Sequence, residues 1–280
     1  MLFSALLFVN LIWGSTFALV KSALDCMGPF YFLSVRFSLA SIIMLLIFRK
    51  SFVGHKIKPG YILVGIFLFL GYVFQTIGLK YTSASNAAFI TGLSVVMVPF
   101  LEIIFMKRSL PLTSILGAVS STVGLWYLTG LHSFSMNYGD LLVLICALCF
   151  ASQIITVGIC APNSDSGVIA TTQVIVVATL SWLSIPIFRE RINTPISITA
   201  IWAIVITAIF ATALAFYIQA LAQKVINPTT IALIFATEPV FGGLFGYLIL
   251  KEVLTPTALF GAGLILFGML VTQIPERRKD

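Results

Sequence analysis

The chain alternates between long apolar runs and short polar breaks along its whole length. A helix needs about 20 mostly apolar residues to cross the hydrocarbon core of a bilayer. Ten runs approach or reach that length: 2–21, 30–48, 61–79, 86–106, 111–129, 138–159, 167–188, 197–220, 228–250 and 256–274. The breaks contain Pro, Gly, Asn or basic residues, which are typical of loops. The pattern predicts an all-α integral membrane protein with ten transmembrane helices and no soluble domain.

Composition supports a lipid environment. Hydrophobic residues make up 60% of the 280 residues and charged residues 9%, whereas a soluble domain carries about 25% charged residues. The formal net charge is +7, but the basic residues lie in short clusters between apolar runs. That distribution is typical of membrane topology and not of nucleic-acid binding.

The distribution of Lys and Arg predicts that both termini are cytoplasmic, because cytoplasmic loops carry an excess of these residues. With the N-terminus inside, the inner loops and tail hold ten basic residues: Arg49, Lys50, Lys56, Lys58, Lys107, Arg108, Lys224, Arg277, Arg278 and Lys279. The outer loops hold five: Lys21, Lys80, Arg189, Arg191 and Lys251. We therefore expect a multi-pass protein of the inner (cytoplasmic) membrane.

An internal repeat divides the chain. Residues 72–118 align without a gap with residues 216–262 at an offset of 144, so that Gln75 meets Gln219 and Lys80 meets Lys224. Each half holds five predicted spans, and an odd number of crossings makes the second half run in the opposite sense. Such inverted repeats are characteristic of secondary transporters. We predict a first repeat over 1–130, a second over 138–274 and a cytoplasmic tail over 275–280.

Three stretches resemble the EamA family of the drug/metabolite transporter (DMT) superfamily. They are "LIWGSTFALVK" (11–21), "FLSVRFSLASIIMLL" (32–46) and "ATEPVFGGLFGYLILKEVLTPTALFGAGLILFGMLV" (236–271). The resemblance implies the EamA/DMT fold, two inverted five-helix repeats, and a permease for metabolite efflux that exports amino acids, other metabolites or toxic compounds. It names no substrate.

Glu238 lies near the centre of the ninth run and is followed by Pro239. An ionisable group at that depth costs roughly 2.5–3.5 kcal/mol on insertion scales, so it usually faces a cavity or the bundle interior. Proline opens the helix backbone, and Gly242 and Gly243 follow it. We expect a hinge at Pro239, Gly242 and Gly243. Glu238 then binds a cationic group or a coupling proton, or has a structural role.

Arg36 lies inside the second run. It either reaches the interface with its long side chain, attracts a substrate carboxylate, or neutralises Glu238. Glu102, about one turn from Lys107, is expected to extend to the interface.

The remaining candidate substrate-binding residues are aromatic or amide side chains within the spans, for which packing between helices is the competing interpretation. They are Trp13, Tyr72, Gln75, Gln153, Gln173, Phe216 and Gln219. Small residues at 117–124 and 261–268 are expected to pack helices together within the chain.

These features favour a secondary active or facilitative transporter working by alternating access, with a small-molecule substrate, membrane lipids as surroundings and coupling to protons left open. One alternative is a lipid-linked head-group translocase of the same fold, with a basic inner groove and an opening toward lipid. Another is a membrane enzyme or scaffold, which should have a buried acidic or histidine cluster. No P-loop occurs in the sequence, so ATP hydrolysis is not expected. We expect neither enzymatic activity, a cofactor nor a metal.

Overall fold

The computed structural model describes residues 1–24, 26–82, 84–107, 109–129, 137–190, 196–250 and 255–272. Their regular structure is helical, and no β-strand occurs among them. The α-helices are α1 (Leu2–Leu24), α2 (Pro29–Phe48), α3 (Pro59–Gly78), α4 (Ala84–Gly92), α5 (Ser94–Met106), α6 (Leu112–Thr129), α7 (Tyr138–Cys160), α8 (Ser166–Phe188), α9 (Ile198–Ala208), α10 (Ala215–Ala222), α11 (Pro228–Phe235), α12 (Glu238–Leu250) and α13 (Pro256–Val271).

Each predicted apolar run lies on one or two of these helices. Over the described residues, seven helical segments are long and apolar enough to cross a membrane, and three shorter apolar helices accompany them. Three runs that the sequence presents as continuous are interrupted. The run at 86–106 breaks between α4 and α5, and the run at 228–250 breaks between α11 and α12. The run at 197–220 contains a π-helix, Ile209–Leu214, between α9 and α10.

Polar side chains and prolines mark the helix starts. Asn137 and Asp140 form a capping box at α7, and Asp165 caps α8. Asn227 accepts from the Thr230 amide at the start of α11, and Thr255 accepts from the Ala258 amide at α13. In both of these helices a proline follows the cap. The first amides of a helix have no partner within it, so the missing N–H of proline costs no hydrogen bond there. These caps satisfy amides that lipid cannot.

The outer surface of the bundle is apolar. Large hydrophobic side chains such as Leu46, Phe105, Ile187 and Phe267 are between 59% and 72% exposed. The main buried cluster instead joins α1, α2, α3 and α8 with the helices at 198–222. An apolar exterior around a packed interior is what a helical bundle in lipid requires, because the surrounding acyl chains are themselves apolar.

Helices α6 and α13 pack against each other through glycines. A Cβ atom on Gly117 would lie 2.7 Å from the carbonyl oxygen of Gly268, and one on Gly124 would lie 2.6 Å from that of Gly261. Between these contacts Ser120 Oγ donates to the carbonyl of Leu264 at 2.8 Å. The small residues at 117–124 and 261–268 therefore pack within the chain, as predicted.

Several predicted features lie outside the described residues. They are the tail at 275–280 and the basic residues Arg108, Arg191, Lys251, Arg277, Arg278 and Lys279.

Candidate functional site

A central cavity of about 140 Å³ lies among the helices. A buried cavity of about 150 Å³ accommodates a benzene molecule, so this one has room for a ring-sized group. Eight of the nine residues that we predicted as substrate-binding line it: Trp13, Arg36, Tyr72, Gln75, Gln153, Phe216, Gln219 and Glu238. Gln173 is not in the wall. The cavity reaches Val20, Phe32 and Leu79, near the end of the bundle where α1 joins α2 and α3 joins α4.

Arg36 points into the bundle and not to the interface. It is 4% exposed, its Nε donates to Thr212 Oγ1 at 2.9 Å, and Nη2 donates to the Ala211 carbonyl at 3.5 Å. Its guanidinium carbon lies 5.2 Å from the ring centroid of Tyr72. These partners are neutral, and neutralisation by Glu238 is not observed. The positive charge therefore remains available to an anionic group, because arginine stays protonated in proteins.

The π-helix at Ile209–Leu214 supplies the backbone that holds Arg36. The Ala211 carbonyl accepts from Trp13 Nε1 at 2.8 Å as well as from Arg36. A π-helical turn often marks a functional site. The sequence reasoning missed this element and Thr212, since "IFATAL" contains neither proline nor glycine.

Glu238 is the first residue of α12, and the helix break lies just before it. Thr237 Oγ1 donates to the Ile234 carbonyl at 2.7 Å. Asn10 Nδ2, which is fully buried on α1, donates to the same carbonyl at 2.5 Å and to Thr237 Oγ1 at 2.9 Å. The freed backbone is thus satisfied by protein groups, as the hydrophobic surroundings require. A carboxylate is also favourable in the first turn of a helix. Nothing in the sequence pattern had singled out Asn10.

Pro239 is the second residue of α12 and not the centre of a bent helix. An amide at that position has no partner within the helix, so the missing N–H of proline costs no hydrogen bond there. The equivalent break between Gly92 and Ser94 has no proline beside it, so proline alone does not explain these breaks. Helix α11 ends at Phe235, four residues before Pro239, where a proline ring would crowd the carbonyl of a continuous helix. Asn10 adds tertiary contacts at the same break, and the hinge at Pro239 stays a prediction.

Helix α1 approaches α12 closely beside this break. A Cβ atom on Gly14 would lie 2.7 Å from the Gly242 amide nitrogen and 2.9 Å from the Glu238 carbonyl. The missing side chain of Gly14 therefore permits this close contact, whereas a Cβ atom on Gly242 would lie at an ordinary 3.8 Å from the Gly14 carbonyl. Gly243, the third predicted hinge residue, is partly buried.

Aromatic rings form much of the cavity wall. Trp13 lies 6.1 Å from Phe216 and 4.9 Å from Phe235 between ring centroids, and Tyr72 lies 5.4 Å from Phe150. Phe150 and Phe235 were missed, because aromatic residues are frequent in membrane spans for reasons unrelated to binding. The wall suits a flat or apolar part of a ligand.

Four buried glutamines, each at most 3% exposed, link α7, α8 and α10. Gln153 Nε2 donates to Gln173 Oε1 at 2.9 Å, Gln219 Nε2 donates to Gln153 Oε1 and to Gln223 Oε1 at 3.0 Å, and Gln223 Nε2 donates to the Ile154 carbonyl at 2.7 Å. We call these residues the glutamine cluster. Gln75, the repeat mate of Gln219, is instead partly exposed and donates to Thr91 Oγ1 at 3.4 Å. Repeat mates therefore have different environments.

Glu102 does not extend to the interface as expected. It is 2% exposed, and its Oε2 accepts from Thr229 N at 3.0 Å and from Thr229 Oγ1 at 2.6 Å. This carboxylate therefore binds the N-terminus of α11, where it complements the helix dipole, and its role is structural.

Comparisons with known proteins agree with this architecture. The model of the EamA-like transporter family matches residues 2–130 and 137–274. An uncharacterized transporter of Archaeoglobus fulgidus is 38% identical, over 95% of this chain and 83% of its own length. An S-adenosylmethionine/S-adenosylhomocysteine transporter of Chlamydia muridarum is 29% identical, over 98% of this chain and 92% of its own. A crystal structure with 19% sequence identity superposes with a TM-score of 0.81 over 96% of each chain.

Proposed function

The chain belongs to the EamA-like transporter family, and we propose that it carries a small zwitterionic metabolite across the cytoplasmic membrane by alternating access. Membership of this family points to a multi-pass membrane transporter and not to an enzyme. The substrate class, the direction and the mechanism are our proposal.

The observation that carries the proposal is the combination of charges in one cavity. Arg36 from α2 and Glu238 from α12 line the same space, together with Trp13, Tyr72 and Phe216. Arginine binds carboxylates through a planar set of donors. A carboxylate attracts an ammonium or sulfonium group, and aromatic faces attract cations and rings. An amphipathic amino acid such as phenylalanine has a carboxylate, a cationic group and a ring, and so does S-adenosylmethionine.

Alternating access rests on the two halves of the chain. The two matched stretches of the family model agree with the repeats proposed at 1–130 and 138–274. Hydrogen bonds that join Ser120 to Leu264 and Trp182 to Ser38 each connect residues 144 positions apart, which is the repeat offset. Equivalent residues meet in this way when a pseudo-two-fold axis passes between them. These contacts support ten spans arranged as two inverted five-helix repeats.

The direction of opening follows from the difference between the halves. The cavity extends toward the α1–α2 and α3–α4 connections, while the glutamine cluster closes the opposite side. With both termini in the cytoplasm, we infer that this conformation is accessible from outside and closed inside. Exchange of the two environments, with the Gln75 region closing and the Gln219 region opening, would produce the inward-accessible state that loads substrate for export. Glu238 is our candidate carrier of a coupling proton.

The substrate class is tested by counterflow in proteoliposomes that contain the purified chain. L-phenylalanine and S-adenosylmethionine carry both charges, phenethylamine lacks the carboxylate, and hydrocinnamate lacks the amine. We expect the zwitterions to exchange well above the rate of protein-free liposomes, and each singly charged analogue to exchange at least about tenfold more slowly, because one lost charge contact costs roughly 1.4 kcal/mol or more. Equal transport of all four compounds, or of none, contradicts the proposal.

A further inference from the structure

A second recess, of about 450 Å³, lies at another part of the bundle. The segments around it are the connections α2–α3, α7–α8 and α10–α11, which meet at the end of the bundle opposite the α1–α2 and α3–α4 connections. In the proposed orientation this is the cytoplasmic end. The linings of the two cavities share no residue.

The recess is basic. Lys56 and Lys58 reach it from the α2–α3 connection, Lys224 reaches it from the α10–α11 connection, and His55 lies beside them. Asp165 is the acidic residue among the lining residues described, and its Oδ1 already accepts from the Val168 amide at 3.1 Å. A surplus of positive charge at one concave surface favours an anionic ligand.

The floor of the recess is ordered by contacts within the protein. Tyr61 is 3% exposed, and its hydroxyl donates to Ser164 Oγ at 2.6 Å. Lys58 Nζ donates to the Asn163 carbonyl at 3.3 Å and lies 6.0 Å from the Tyr61 ring centroid. An ammonium group has three donors, so the exposed Lys58 side chain retains two for a ligand.

Apolar side chains flank the basic residues. Val53 is 80% exposed, Ile57 53% and Val225 76%. They precede or follow the lysines in the same connections, at the ends of helices whose outer faces are apolar. This arrangement of basic groups beside exposed apolar groups matches an amphiphile, which has an anionic head and acyl chains, better than a free ion.

We propose that this recess binds the phosphate group of an anionic phospholipid. Basic pockets at the cytoplasmic ends of membrane helices recognise such head groups through charge and hydrogen bonding. Lys58 belongs to the first half of the chain and Lys224 to the second, so a bound phosphate connects the two halves. The glutamine cluster lies directly beneath, since Gln223 precedes Lys224. In this conformation the recess is separate from the central cavity, since their linings share no residue.

The test measures lipid retention by the full-length chain in detergent, by native mass spectrometry with added phosphatidylglycerol or phosphatidylcholine. The double variant Lys56→Gln/Lys58→Gln removes two charges from the recess. Arg49→Gln/Lys50→Gln removes two charges from the same connection outside it, and is the matched control. We expect the first pair to weaken phosphatidylglycerol binding by roughly fivefold per lysine and the control pair to change it less than twofold. Phosphatidylcholine binding should change in neither.

Lys224→Gln probes the other half of the chain and should weaken phosphatidylglycerol binding by a similar factor. It replaces an exposed side chain in a turn, so a folding defect is not expected, and the thermal unfolding midpoint of each variant checks this. Equal losses from the recess pair and the control pair overturn the proposal. Inorganic phosphate distinguishes the source of the ligand: displacement of the lipid at sub-millimolar phosphate overturns the assignment to a phospholipid.

Discussion

Replacement of Arg36 by glutamine separates a role in substrate binding from a role in stability. The variant Arg36→Gln loses a charged hydrogen bond to Thr212 and the contact with the Tyr72 ring. Such a hydrogen bond contributes about 1.5–3 kcal/mol and a desolvated cation–π contact about 2 kcal/mol. The variant also no longer buries a charge, whose desolvation costs several kcal/mol. These terms oppose each other, and glutamine can still donate to Thr212. We therefore expect only a small change in stability.

Substrate binding should respond much more strongly. Removal of one partner from a buried, hydrogen-bonded charge pair costs about 2–5 kcal/mol, which corresponds to a loss of affinity between roughly 30-fold and a few thousand-fold. A substrate that lacks a carboxylate loses none of this. The expected signature is a large loss for L-phenylalanine together with a small change for phenethylamine.

The assay is counterflow of both compounds in proteoliposomes, with the thermal unfolding midpoint measured on the same preparations. Arg36→Lys is the matched control. It keeps the charge without the planar set of donors, so it should lie between wild type and Arg36→Gln for L-phenylalanine. If Arg36→Gln impairs both compounds by the same factor, the arginine stabilises the π-helix and does not bind a carboxylate.

Three further predictions follow from the same contacts. Glu238→Gln should abolish acceleration of transport by an imposed pH gradient while leaving substrate exchange measurable, because an amide cannot carry the proton; unchanged acceleration excludes Glu238 as the proton carrier. Gly261→Ala should lower the unfolding midpoint, because its Cβ would meet the Leu128 amide nitrogen and lie 2.5 Å from the Gly124 carbonyl, an overpacking that costs about 1–3 kcal/mol. Gly263→Ala, with no atom within 4 Å of the added Cβ, is its control and should be neutral or stabilising. Gln219→Leu should lower the free energy of unfolding by about 1–3 kcal/mol, because it leaves Gln153 and Gln223 partly unpaired. Gln75→Leu should lower it less, and similar unfolding midpoints for the two variants would contradict the interpretation that the glutamine cluster closes one side of the cavity.

The sequence predicted the helical spans because the requirement behind them is local. A bilayer needs a minimum apolar length in each segment, and every such run appears as helix in the part of the chain that the structure describes. Glu238 and Arg36 could be identified for a related reason, since a charge within an apolar run is costly wherever the run finally packs. Most predicted cavity residues followed from the same reasoning about polar groups at depth.

Tertiary structure alone decided which polar groups meet, because partners are chosen by contacts between helices that lie far apart in sequence. Asn10 satisfies a carbonyl 224 positions away, and Glu102 caps a helix 127 positions away. Gln173 had the same sequence signature as Gln153 and Gln219, yet it lies behind the cavity wall. The break before Glu238, the π-helix under Arg36 and the glutamine cluster all include such contacts. Apolar length is a property of each segment, whereas a hydrogen-bond partner is a property of the folded bundle.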